Sequence, residues 1–107
     1  MRLGYTILYV PDVRAALAFY GKAFGLATRF VHESGDWGEL ETGSTSLAFC
    51  SHGLLVQMGK TVALPDARKP CFEVALLTPD VAAAYAQALE HGAHSLQAPQ
   101  DMPWGQT

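Results

Sequence analysis

Seven side chains carry most of the chemistry this sequence offers: Tyr5 and Tyr9 in one apolar run, His32 and Trp37 astride Ser34-Gly35-Asp36, Phe49 in a second run, Glu73 in a third, and Trp104 near the end. A carboxylate can serve as a general base or anchor a cation, a phenol exchanges hydrogen bonds, and an indole offers a flat face for stacking. Strand alternation would put Leu3, Tyr5, Ile7 and Tyr9 on one face, opposite Thr6, Leu8 and Val10. It would likewise put Cys71, Glu73 and Ala75 opposite Phe72, Val74 and Leu76. The second face of each run suits packing on helices, so Tyr5, Tyr9, Cys71 and Glu73 turn to the other side. A carboxylate buried beside a phenol is costly unless paired, hydrogen-bonded or protonated. Glu73 therefore either fixes the core by bonding Tyr5 or an arginine, or engages a cationic or hydrogen-bond-donating ligand; in an enzyme it would be the catalytic base. Trp37, Phe49 and Trp104 either line a cavity for a planar ligand or fill core and interface.

The remaining reactive types offer less. His32 sits where it could reach a cavity rim, although a lone strand histidine is more often solvated or structural. His52 follows directly on an apolar run, and His91 and His94 flank Gly92 at a helix end, where imidazoles interact with the helix dipole. Cys50 and Cys71 lie in apolar runs without CxxC spacing, which fits neither a disulfide framework nor a zinc knuckle and suits reduced thiols in a cytoplasm. Seven basic residues against ten acidic ones give a formal charge of −3, and the basic residues form no stripe, so nucleic acid is not an expected partner. No window approaches the length of a membrane span, and Pro11 and Asp12 break the first apolar run, so no membrane partner is expected.

These side chains must be positioned by a short series of elements. Residues 3–10 read as a strand ended by Pro11. Val13, Ala16, Leu17, Tyr20 and Phe24 then recur at helical spacing after Asp12, a suitable N-cap, and Gly25 stands where that helix would stop. Residues 27–33, 37–43 and 45–51, parted by Ser34-Gly35-Asp36 and Gly43-Ser44, predict an antiparallel meander. Residues 52–69 read as a long connection with one short helical turn. Residues 70–78 are again strand-like, and 80–92 place Val81, Ala84, Tyr85, Ala88 and Leu89 on one helical stripe. The tail from 95 begins like a strand and then turns rich in proline and polar residues.

An internal repeat organises the series. A shift of 68 residues lays Leu8, Pro11, Asp12, Val13, Ala15, Ala16 and Ala18 on identical residues from Leu76 to Ala86. The chain of 107 residues is then one domain, with module one at about 1–66 and a partial module two at about 70–107. The strands missing from module two are expected either from a longer product or from a partner subunit. A protein of 11.5 kDa can bury a modest core, exposing roughly 5,800 Å² when compactly folded.

The run YTILYVPDVRAALAFYGKAFGL (5–26), its weaker repeat FEVALLTPDVAAAYAQALEHGA (72–93) and the ending MPWGQT (102–107) resemble the vicinal oxygen chelate superfamily of glyoxalases, bleomycin-resistance proteins and extradiol dioxygenases. The resemblance covers nearly the whole chain. It implies an α+β fold of paired βαβββ modules forming a cup-shaped mixed sheet around a ligand cavity, usually completed in a homodimer. The PWGQT ending resembles the entry to the strand that, in family members, leads to a DPDG turn and a last strand, neither of which is present in this sequence.

In metal-dependent members of the superfamily, His or carboxylate ligands come from the first and last strands of each module. Carried onto this sequence, the first such position falls on Tyr5, where those relatives hold His, and its equivalent in module two is Glu73. The fourth strand offers Ala48, Phe49 and Cys50 near the second position, with no imidazole or carboxylate among them. One matched oxygen falls short of the three ligands a catalytic metal needs. The expectation is a protein that sequesters a small aromatic or cationic ligand without a metal or other cofactor, contacting it through Tyr5, Tyr9, His32, Trp37, Phe49, Glu73 and Trp104. The alternative is a glyoxalase-like lyase or dioxygenase, dependent on a divalent metal held by residues outside this chain, or metal-free with Glu73 as general base.

Overall fold

The computed structural model describes residues 1–100; Trp104 and the MPWGQT ending lie outside them. The fold is mixed α+β. Strand β1 (Tyr5–Val10) leads into helix α1 (Val13–Phe24), followed by β2 (Thr28–Val31), β3 (Trp37–Leu40) and β4 (Ser46–Ser51). Helix α2 (His52–Gln57) supplies the short turn expected in the connection, and α3 (Val81–Glu90) is the second amphipathic helix.

The strands form one sheet in the order β1-β4-β3-β2. The meander appears as antiparallel β2-β3-β4 pairing, and β1 joins β4 in parallel with Tyr5 opposite Ser46 and Tyr9 opposite Cys50. A parallel neighbour requires a crossover, and α1 provides it. This is one complete βαβββ module.

Helix α1 starts where Asp12 accepts a hydrogen bond from the Ala15 amide at 3.0 Å and stops at Gly25, whose φ of 70° is left-handed. The repeat reproduces the start of this helix: Asp80 accepts from the Ala83 amide at 3.0 Å to begin α3. Val13 and Leu17 on α1 bury against Leu40, Leu47 and Phe49 of the sheet, with Leu8, Val10 and Tyr20 packed around them. Helix and sheet approach so closely over β3 that a Cβ on Gly38 would lie 2.8 Å from Leu17 Cδ1 and 2.9 Å from Val13 Cγ1.

The second module departs from the strand expected over 70–78. That segment is not a strand among the described residues, and all its residues are exposed. A strand exists only through a backbone partner, and no backbone hydrogen bond reaches residues 71–78 among the described residues. The strand-like start at 95 is likewise irregular. Helix α3 rests on α1, tied by Gln87 Nε2 donating to the Lys22 carbonyl at 2.9 Å, with Val81, Ala84, Tyr85 and Ala88 half-buried and Leu89 exposed.

Candidate functional site

Helix α1 covers one face of the sheet and leaves the other open. The alternation expected of β1 is present: Tyr5, Ile7 and Tyr9 are 50%, 43% and 49% exposed on the open face, whereas Leu8 and Val10 pack toward α1. The register extends this face across the sheet. Tyr9, Cys50 and Trp37 form one row and Ile7, Ala48, Glu39 and Phe30 the next.

Trp37 leans from its row toward Glu39, since its Nε1 donates to Glu39 Oε2 at 2.8 Å. That tilt brings the indole edge-on to Tyr5, with ring centroids 6.0 Å apart and planes at 68°. Ala48 lies in β4 between their strands and is fully buried, which is consistent with the rings closing over the smallest side chain of that row.

A charged cluster borders the aromatic pair. The pairing of β2 with β3 shifts between Thr28 and Phe30, which brings Arg29 to the same face. Arg29 Nη1 donates to Ser46 Oγ at 3.0 Å, while its Nε lies 3.7 Å from Glu39 and 4.0 Å from Glu41. Neither Arg29 nor Glu39 stands out in the sequence as a site residue. Alternation along the meander carries a signal for Glu39, since it puts Trp37 and Glu39 on one face, but none for Arg29, whose place depends on the register shift.

The other expected site residues fall in different places. Phe49 is fully buried on the α1 side, 5.0 Å from the Tyr20 ring, and so does not share the face of Tyr5 and Trp37. Its neighbours in β4 explain this, because Ala48 and Cys50 take the open side and Phe49 must take the other. His32 is exposed beside the β2–β3 turn; its Nδ1 accepts from the Ser34 amide at 3.1 Å and meets the Ser34 hydroxyl at 2.8 Å. Glu73 is exposed in the irregular segment 70–78 and hydrogen-bonds no described residue, neither Tyr5 nor an arginine. Of the expected set, Tyr5, Tyr9 and Trp37 come together on the open face.

The thiols differ. Cys71 is exposed, and Cys50 is buried, with its thiol pushed above its ordinary range by desolvation and by the nearby Asp36 carboxylate, against an opposing Lys60 charge. Asp36 also accepts from the Ser51 hydroxyl at 2.6 Å, and Ser51 caps α2. Tyr20, half-buried on α1 against Phe49, has its phenol pushed up by desolvation. Among the described residues no three His, Cys, Asp or Glu side chains lie close enough to hold a metal ion. The described donors therefore do not fit a metal centre. A separate recess of about 810 Å³ opens on the α1 side between Tyr20, Leu47, Val74, Leu76, Val81 and Tyr85, and none of the expected site residues lines it.

No described helix is long and apolar enough to cross a membrane. No curated protein matches the chain. Among solved structures, a glyoxalase/bleomycin resistance protein/dioxygenase family enzyme from Burkholderia phytofirmans PsJN is similar at 22% identity and a TM-score of 0.74, over 98% of this chain and 84% of that one. A glyoxalase-related enzyme from Fulvimarina pelagi is similar at 21% identity and a TM-score of 0.77, over 97% and 74%. A bleomycin resistance determinant encoded on the transposon Tn5 is similar at 22% identity and a TM-score of 0.63, over 98% and 82%. The model of the Glyoxalase/Bleomycin resistance protein/Dioxygenase superfamily matches residues 2–107, and the chain belongs to that superfamily.

Proposed function

We propose that this protein binds a small aromatic or cationic molecule on the open face of its sheet, without a metal, as a homodimer in the cytoplasm. The observation that carries the reading is the grouping of Tyr5, Tyr9 and Trp37 on one uncovered face, with the first two about half exposed. Exposed aromatics gathered on a rigid sheet are what a planar ligand needs for stacking. The bleomycin resistance determinant among the similar structures lends the reading a precedent in the superfamily.

Dimer formation is supported by surface. Phe72, Leu76 and Leu77 are among the apolar side chains left uncovered. Two free thiols, one of them exposed, suit a reducing compartment.

The enzymatic alternative needs an oriented acid or base. Glu73 is exposed and has no hydrogen-bond partner among the described residues, so nothing there fixes it as a general base. The test is calorimetric titration of the purified protein with planar arenes, alongside elemental analysis and sedimentation. Saturable binding by a metal-free dimer is expected. One equivalent of metal per subunit, or no heat with any arene, would contradict the reading. Loss of turnover of an identified substrate in Glu73→Gln would favour the enzyme.

A further inference from the structure

We propose that the ligand of the open face is an organic cation and that Glu39 selects it, a refinement that rests on the binding reading above. The side chain of Glu39 is 12% exposed, and its two oxygens are unequally served. Oε2 accepts from the Trp37 indole at 2.8 Å. Oε1 lies 3.7 Å from Arg29 Nε, beyond hydrogen-bond reach, and no described residue donates to it. Oε1 therefore has an ion-pair partner and contact with water but no hydrogen bond from a described residue, so it keeps its full capacity to accept one from a ligand. An ammonium, amidinium or aromatic N–H cation supplies both the donor and the charge.

The surrounding charge has the sign such a ligand needs. Arg29 is held to Ser46 and shared between Glu39 and Glu41, so a single guanidinium faces two carboxylates and the cluster keeps an excess negative charge. Arg29 and Glu41 are 44% and 57% exposed, so water screens them far more than Glu39. An anionic ligand would meet repulsion here. The indole that bonds Glu39 also carries the aromatic pair, so a flat cation can lie against Trp37 and Tyr5 while its N–H reaches Oε1. The ligand class is a planar arene bearing a protonated nitrogen.

Three probes of one shape test the assignment by calorimetry at neutral pH: 9-aminoacridine as the cation, acridine as the neutral form and acridine-9-carboxylate as the anion. The intact chain should bind 9-aminoacridine at least about tenfold tighter than acridine, the scale of one charge-assisted hydrogen bond, with the carboxylate weakest. Glu39→Gln keeps an oxygen for the Trp37 indole, and it should abolish the preference while leaving acridine within about twofold. Arg29→Gln removes the competing cation and should tighten 9-aminoacridine several-fold. Equal binding of all three probes, a preference that survives Glu39→Gln, or weaker cation binding in Arg29→Gln would overturn the role of Glu39 and leave the binding reading standing. No binding of any probe would overturn both.

Discussion

The ring of Tyr5 meets the ring of Trp37 edge-on, their centroids 6.0 Å apart and their planes at 68°, although their strands are separated in the sheet by β4. The contact depends on the Glu39 carboxylate, which draws the indole along its strand, and on Ala48, which leaves room beneath the rings. The pair should therefore be energetically coupled. In a double-mutant cycle of Tyr5→Leu and Trp37→Leu read by urea unfolding, the interaction energy should be about 0.5–1.5 kcal/mol. Strict additivity would mean that the rings touch without stabilising each other.

Gly38 is the closest approach of α1 to the sheet. Gly38→Ala places a methyl group against Val13 and Leu17, both in the core, so it should lower unfolding stability by about 1–3 kcal/mol. Because Gly38 points away from the open face, ligand affinity of the folded variant should be unchanged. Chemical denaturation and calorimetry on the same sample read the two effects separately.

The thiols should react in two classes. Cys71 is exposed, whereas Cys50 is buried with its thiol pushed up by desolvation and by Asp36. A colourimetric thiol reagent at neutral pH should modify one thiol quickly in the native protein and a second only after denaturant is added. Two fast thiols in the native state would place Cys50 outside the core.

Tyr20 sets an alkaline limit. Its phenol is pushed up by burial, so above the ordinary tyrosine range, at about pH 10, the unfolded chain loses this proton before the folded one does. The folded state then binds more protons, and stability falls as pH rises through that window. Below it the contribution is complete. Tyr20→Phe should flatten this part of the alkaline limb in denaturant titrations, and an unchanged limb would assign the loss to other groups.

Much of this architecture is written locally in the sequence. Asp12 and Gly25 bracket α1 because a short acceptor side chain and a residue free to adopt positive φ are what helix ends require, and the same logic marks Asp80. The period-two pattern of YTILYV separates Tyr5 and Tyr9 from Leu8 and Val10 without knowledge of the partner strand. What was not legible depends on partners distant in sequence. An apolar run such as 70–78 has strand propensity, yet propensity supplies no hydrogen-bond partner, and the segment stays irregular and unpaired among the described residues. Phe49 could be read as a cavity aromatic or as core because the middle of β4, Leu47–Cys50, is apolar on both faces, and such a run carries no alternation to say which side is covered. Glu39 follows from its period-two relation to Trp37, whereas Arg29 joins that face only through the register shift that swings it toward Ser46.

The central claim is that a ligand sits on the open face of the sheet, against Tyr5, Tyr9 and Trp37. Nitrogen-15 NMR titration of the full chain with 9-aminoacridine tests it most directly, because the Trp37 indole N–H and the amides of β1 and β3 report that face separately from α1 and α3. The account predicts saturating shifts at the Trp37 indole and along Tyr5–Tyr9, with the Tyr85 and Val81 amides of α3 unmoved. Shifts confined to Val81, Tyr85 and the recess between α1 and α3, with the indole signal unchanged, would contradict it.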